Sequence, residues 1–481
     1  MATTLDPARP SPGAGKYPLD PGRFDEAFVA GGTPRRPYAE VLDALARHEL
    51  VVLRERVRAN AAALGLRFGA GQPLAVDPVP RLIEAGEWEA LEAGLLQRTK
   101  ALNAFLADAY GGQRIFDAGV VPRRLLATSS GYEPRMRGLL DPGVPAATVA
   151  GLDLIRAADG TLLVLEDNLR MPSGASYAVA VREAVEPVLG ASTRPRPLDS
   201  YVGALGAAIR AAAPDGRGDP AAAIVSDGPE SGAWYEHRRL GRELGIPVVT
   251  PAELEVERGR LFARERHGRR QLDVLYRRLD EDRLSDPDGA LTALGELLLP
   301  ALESGRLRCA NAFGSGLADD KLAHAYAESM IRFYLDEQPL LRSVPSFDLA
   351  DATVRESVLE RLDELVIKPR DGFGGQGVTI MPRATAAQRR RALGLVRRRP
   401  EDFVVQETVQ LSSHPTVCDG RLRPRRVDLR PFVVSSAAGS AAMTGGLTRY
   451  ARGAGEMVVN SSRGGGCKDT WVIDAPEAGK R

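Results

Sequence analysis

The stretch from Val366 to Gly377, Val-Ile-Lys-Pro-Arg-Asp-Gly-Phe-Gly-Gly-Gln-Gly, constrains this chain more than any other. A short apolar run ends at Lys368 and opens into a loop. There Gly372, Gly374, Gly375 and Gly377 let backbone N–H groups close on an anion with no side chains in the way. A second apolar run follows from Val378 to Met381, so the order is strand, lysine, glycine loop, strand. A P-loop places its lysine after the glycines and before a helix, and a dinucleotide fingerprint opens a helix at its last glycine. Neither order is present. The stretch reads as a phosphate cradle with one point charge beside it, against the plainer reading of a glycine-rich hairpin without a ligand. Composition favours the cradle slightly. Only six of the 64 basic residues are lysines (Lys16, Lys100, Lys321, Lys368, Lys468 and Lys480), so a lysine kept at this loop suggests a need for a compact ammonium instead of a planar fork.

A second constraint lies 200 residues upstream. Residues 151–168, Gly-Leu-Asp-Leu-Ile-Arg-Ala-Ala-Asp-Gly-Thr-Leu-Leu-Val-Leu-Glu-Asp-Asn, read as a hairpin turning on Asp159-Gly160. With that turn Asp153 lies directly opposite Glu166. Because side chains alternate along a strand, Asn168 shares their face. Asp153, Glu166 and Asn168 then present two carboxylates and an amide carbonyl, hard-oxygen ligands suited to Mg²⁺ held jointly with phosphates. A solvated hairpin face would also be polar here, but Leu162-Leu-Val-Leu before Glu166 implies a buried strand that ends at a site.

The rest of the chain divides around these two segments. Residues 1–37 are rich in proline and read as a flexible arm. Residues 38–125 form a helical region with stripes at Val41, Leu42, Leu45, His48 and at Trp88, Leu91, Leu95, Leu102, Phe105, separated by a proline-rich loop from Pro73 to Arg81. Residues 126–190 carry the carboxylate hairpin and the loop Arg170-Met-Pro-Ser-Gly-Ala-Ser176. Residues 198–315 show strand–helix alternation, with strands at Ala222 to Ser226, Pro247 to Thr250, Arg260 to Ala263 and Gln271 to Tyr276. Residues 316–475 hold the glycine loop. There, Lys321 stands near the start of a helix expected over 322–336, where a cation is unfavourable unless an anion is present. The segment Ser412 to Leu422, with His414, has no assigned role.

The net charge of +1 gives no general attraction to nucleic acid or anionic membranes. No apolar run approaches the length that spans a bilayer, and Met1 to Gly15 lack the apolar centre of a signal peptide, so a cytoplasmic protein is expected. Cys309, Cys418 and Cys467 are far apart, which argues against a disulfide framework or a zinc site.

Taken together, Lys321, Lys368 with its glycine loop, Glu407, Arg430, Arg449 and Asn460, preceded by Asp153, Glu166 and Asn168, resemble the ATP-grasp series in a rotated order. The chain is similar to the circularly permuted ATP-grasp family of bacteria. Pro80-Arg-Leu-Ile, Gln97-Arg, Ala101-Leu-Asn-Ala-Phe-Leu and Leu165-Glu-Asp-Asn-Leu-Arg-Met-Pro-Ser-Gly add to the likeness. The resemblance implies an α/β fold, a permuted ATP-grasp with a helical N-terminal region and a small doubly wound domain before the nucleotide domain. It implies an ATP- and Mg²⁺-dependent carboxylate–amine ligase working through an acyl phosphate. Lys321 and Lys368 would then neutralise phosphates, Glu407 would receive the adenine amino group, and Asn460 would stand near the nucleotide. Asp153, Glu166 and Asn168 would hold Mg²⁺, and Arg430 or Arg449 would steady the transferring phosphoryl group. Small-molecule or peptide acids and amines are the implied partners, without nucleic acid or membrane, and a protein partner or homo-oligomer stays open. The competing readings are a phosphotransferase on the same scaffold and a nucleotide-binding scaffold without chemistry.

Overall fold

The computed structural model describes residues 17–474 except 21, 70, 199, 217, 280–282, 373–375, 455, 457, 458 and 460–463. Gly374, Gly375 and Asn460 therefore lie outside the described residues. The chain forms a mixed α/β structure organised by a nine-stranded sheet. Across that sheet, Leu162–Asn168 pairs with Val149–Arg156, whose other edge meets Arg421–Arg430 and Phe432–Ser436. Leu447–Tyr450, Gly466–Ile473 and Val76–Glu84 follow in that order. Val149–Arg156 and Gly466–Ile473 are buried at every position; the first is mostly apolar, and the second buries Lys468 and Asp469 in ion pairs with Asp77 and Arg182.

Two smaller sheets flank it. One is parallel, in the order Arg308–Ala310, Val274–Arg278, Ala222–Ser226, Val248–Val249, with the helix Trp234–Leu244 packed on it. The three-stranded meander Leu254–Glu257, Arg260–Glu265, Gly268–Leu272 is attached, so the expected strand over 271–276 is two strands. The other sheet is antiparallel, in the order Ser346–Asp348, Phe403–Glu407, Leu365–Pro369, Thr379–Ile380. It has its own core of Leu349, Leu365, Ile367, Met381, Val396 and Val405, and it carries the glycine loop.

Three expectations need correction. The proline-rich loop over 73–81 is largely the buried strand Val76–Glu84, parallel to Gly466–Ile473. It lies at the edge of the sheet, where prolines cost no ladder hydrogen bond. Asp77 fixes it by accepting from the Val417 amide at 2.8 Å and pairing with the buried ammonium of Lys468. The described part of the arm, from Tyr17, is packed: Tyr17 and Phe28 are buried, and Glu26 forms a bidentate pair with Arg81 at 2.6 and 2.7 Å. The partner of that arm is the unassigned segment, now the strand Ser413–Cys418. Ser412 and Ser413 hydrogen-bond Glu26 and Asp25, and His414 Nε2 meets the Tyr38 hydroxyl at 3.0 Å. His414 is buried, and burial holds its pKa well below the usual value, so it is a neutral structural residue. Finally, the helix expected over 322–336 is two, Lys321–Ala325 and Ala327–Leu335.

The carboxylate hairpin has the expected pairing for an unexpected reason. Gly151, Leu152 and Asp153 face Asn168, Asp167 and Glu166, but beyond them the register shifts by one, so that Leu154 faces Val164. Leu165 is the extra residue of a bulge. The turn itself spans Ala157 to Thr161 and is offset from Asp159-Gly160; the bulge restores the register at the site end.

Candidate functional site

Strand alternation divides the acidic end of the hairpin between two environments. Asp167 points to the back, where Arg98 grips it at 2.7 and 2.7 Å and His324 Nδ1 lies at 2.7 Å. Asp153, Glu166 and Asn168 line the front, a cavity of about 710 Å³. The same cavity is lined by Lys321, Lys368, Gly372, Gln376, Glu407, Arg430 and Arg449. The two sequence segments some 200 residues apart therefore meet at one opening. Gly377 is described but is not among the lining residues.

Lys368 sits on the strand Leu365–Pro369 and is 9% exposed. No carboxylate forms an ion pair with it among the described residues. Burial depresses its pKa to about 8, with Lys321 adding to the depression and Glu166 and Asp153 opposing it. An ammonium desolvated in this way is primed for an anionic ligand. Lys321 is differently placed. Its ammonium donates to the Gly372 carbonyl, which ties it to the base of the glycine loop. The anion that its helix terminus calls for is supplied within the chain. Asp320 caps the Leu322 amide at 2.8 Å and forms a buried bidentate pair with Arg370 at 3.1 and 2.7 Å.

The floor beside the hairpin is a ladder of ions. Arg430 donates to both oxygens of Asp153, at 2.5 and 2.8 Å; Arg449 bridges Asp153 at 2.8 Å and Asp428 at 2.9 and 2.6 Å. Burial raises the pKa of Asp153, and the two guanidinium groups outweigh it, so the carboxyl stays well below its ordinary range. Asp428 shares one guanidinium, and burial pushes it up.

This arrangement bears on a metal. Glu166 has no hydrogen-bond or ion-pair partner among the described residues, and the Asn168 Nδ2 atom is buried without one. Which amide atom occupies that place is a matter of assignment, so a flipped Asn168 would turn an orphaned carbonyl oxygen toward a cation. Glu166 and Asn168 thus fit a hard cation that also takes phosphate oxygens. Asp153 fits less well, because both of its oxygens already accept from arginines.

Glu407 ends the strand Phe403–Glu407, and its carboxylate pairs with Arg361. Beside it the Thr408 hydroxyl lines the cavity, buried and unpartnered, a group that the sequence did not flag. Sequence reasoning also missed a clamp on the loop after the hairpin. Arg278, at the carboxyl end of its parallel strand, donates to the Pro172 carbonyl at 2.8 Å, to Ser173 Oγ at 2.6 Å and to Glu236 Oε1 at 3.0 Å. Glu236 Oε2 accepts from the Gly174 and Ser176 amides, each at 3.0 Å. The carboxyl ends of parallel strands usually hold a ligand. Here they hold residues 172–176, two of which, Ser173 and Gly174, line the cavity. An arginine closing the apolar run Val274–Tyr276 was the available signal.

Among known proteins, the family described as circularly permuted ATP-grasp type 2 matches residues 80–451. An uncharacterised protein of Mycobacterium tuberculosis is 40% identical over 469 residues, 95% of this chain and 84% of that protein. An uncharacterised protein of Synechocystis is 37% identical over 472 residues, 94% of this chain and 98% of that protein. A Frankia alni protein provisionally named glutamate–cysteine ligase 2-3 is 41% identical over 467 residues, 94% of this chain but 54% of that protein.

Proposed function

Because the chain belongs to the circularly permuted ATP-grasp type 2 family, we propose that it is an ATP- and Mg²⁺-dependent ligase joining a carboxylate to an amine through an acyl phosphate. The observation that carries this reading is the single cavity lined by Glu166, Asn168, Lys368, Gly372, Arg430 and Arg449. In this reading Lys368 receives the phosphates, and Lys321 anchors the glycine loop beside them. Glu166 and Asn168 hold Mg²⁺, which when bound draws charge from the phosphate oxygens. Asp153 serves chiefly as counterion to Arg430 and Arg449. Glu407 divides its carboxylate between Arg361 and the adenine amino group, with the Thr408 hydroxyl as a further partner for the ring.

The chemistry then follows. An oxygen of the acid attacks the γ-phosphorus, the bond to the β-phosphate oxygen breaks, and ADP leaves. Arg430, held in plane by Asp153, faces the oxygens on which charge accumulates. The amine nitrogen attacks the acyl carbon, the carbon–oxygen bond to phosphate breaks, and the displaced proton passes to solvent. Exclusion of water from the cavity protects the acyl phosphate. The chain spans about half the length of the Frankia relative, so the substrates in that name stay with that protein.

Hydroxylamine tests the proposal without knowledge of the natural amine, because it converts an acyl phosphate to a hydroxamate. ADP and hydroxamate are expected together, and only when an acid is supplied. A stable phosphorylated product without hydroxamate would refute the reading in favour of a phosphotransferase. ATP bound without ADP release across acids would refute it in favour of a silent scaffold.

A further inference from the structure

The cavity extends past the residues assigned to the nucleotide. Its floor runs along the large sheet from Glu166, across the Val149, Arg421 and Leu447 strands, to Cys467 on the Gly466 strand. Four interstrand spacings make that distance roughly 19 Å. The glycine loop and Glu407 belong to the antiparallel sheet, while Asp428, Arg449 and Cys467 form one cross-strand row leading to the opposite end. That end is walled by Phe68, Leu74, Tyr177 and Leu447. Phe68 and Tyr177 meet edge to face with centroids 5.7 Å apart, and the place of a Gly174 Cβ lies 3.1 Å from Leu447. The adjoining hairpin, Arg67–Phe68 with Gln72–Pro73, is fastened across the domains by the Gly69 amide, which donates to Gly232 O at 2.9 Å.

Among the described residues, the charges at this end of the floor are already paired. Arg449 is saturated by Asp153 and Asp428, and the neighbouring Lys468 pairs with Asp77 on the buried side. A second carboxylate entering here would be desolvated against an aromatic and aliphatic wall with its nearest cation satisfied. An apolar group would gain by the same burial.

Resting on the ligase reading, we propose that this end is the side-chain subsite for the acid substrate, and that it takes an acid whose side chain is uncharged and apolar. The reacting carboxylate lies toward the nucleotide end of the floor, where Lys368 has no ion-pair partner among the described residues, and the side chain lies between Phe68, Tyr177 and Leu447. Phe68 is then a specificity-determining residue.

The test is calorimetric titration of the protein saturated with Mg²⁺ and the β,γ-imido analogue of ATP, using L-phenylalanine, L-leucine and L-glutamate as ligands. L-phenylalanine or L-leucine is expected to bind at least about tenfold more tightly than L-glutamate. Phe68→Ala should weaken the preferred apolar ligand about fivefold or more, and Phe68→Leu should restore much of the loss. Retained binding of the nucleotide analogue by both variants reports that the fold persists. Equal or tighter binding of L-glutamate, binding of none of the three, or indifference to Phe68→Ala would overturn the proposal. Failure of the analogue itself to bind would instead overturn the ligase reading.

Discussion

The depressed pKa of Lys368 makes nucleotide binding depend on pH in a way that can be worked out beforehand. In the free protein the ammonium titrates near pH 8, below its ordinary 10.5, because it is buried and has no ion-pair partner among the described residues. A bound phosphate raises that pKa, so the bound form holds a proton that the free form has begun to lose above pH 8. The contribution of Lys368 to affinity is complete below pH 8 and declines as pH rises beyond it. At pH 9 about nine-tenths of the free protein lacks the proton, and the ATP dissociation constant should be about tenfold larger than at pH 7. Stability of the free protein moves the other way. Between about pH 8 and 10.5 the unfolded chain binds more protons, so stability rises with pH across that window. The whole interval is worth about 3 kcal/mol, an upper figure for what Lys368→Met recovers in the free protein at neutral pH. Two measurements check this. Nuclear magnetic resonance of lysine labelled with ¹³C at Cε has six side chains to resolve, and the signal absent from Lys368→Met should titrate near pH 8 and move to higher pH when ATP and Mg²⁺ bind. Calorimetry at pH 9 in buffers of different ionisation enthalpy should record uptake of nearly one proton. A Lys368 signal titrating at its ordinary value, or a dissociation constant flat from pH 7 to 9, would refute the reasoning.

Two further substitutions probe the supports of the site. Glu236→Ala leaves Arg278 buried beside two uncapped amides and should cost about 3–5 kcal/mol in urea unfolding. Glu236→Gln should cost less while still impairing turnover, and an unchanged stability for Glu236→Ala would remove the clamp from the account. Gly174 has φ +134°, with the place of its Cβ 2.9 Å from the Phe432 ring, so Gly174→Ala should lower stability by about 1–3 kcal/mol and narrow the cavity. A neutral effect in thermal unfolding would contradict the packing described.

Much of this site could be read from the chain because its signals were local. Alternation along a strand was enough to separate Asp167 from Glu166 and Asn168, and the buried run Leu162 to Leu165 announced a strand ending in acids. Even there, the pairing of Asp153 with Glu166 came out right through two compensating features, an offset turn and a bulge at Leu165. Lys321 was singled out on an electrostatic argument whose missing anion proved to be its neighbour Asp320. What escaped was tertiary. Nothing in Pro78 and Pro80 announces an edge strand until the sheet order is known. Glu236, Arg278 and Pro172 to Ser176 meet from separate parts of the chain with no shared sequence pattern. The packing of Asp25 and Glu26 needs Ser412, Ser413 and Arg81 to be present before it makes sense.

The account stands on the claim that the carboxylate hairpin and the Lys368 loop form one nucleotide site. ATP binding measured by calorimetry with and without Mg²⁺, on the unaltered protein, Glu166→Gln, Lys368→Met and the double variant, tests it most directly. The prediction is that Mg²⁺ tightens ATP binding to the unaltered protein and that Glu166→Gln removes that gain. Lys368→Met should weaken binding whether or not Mg²⁺ is present, and the two losses should be non-additive, because the charges of Glu166 and Lys368 act on each other. Mg²⁺ dependence that survives Glu166→Gln, or ATP binding indifferent to Lys368→Met, would mean that the two segments do not share the nucleotide and that the proposed mechanism is wrong.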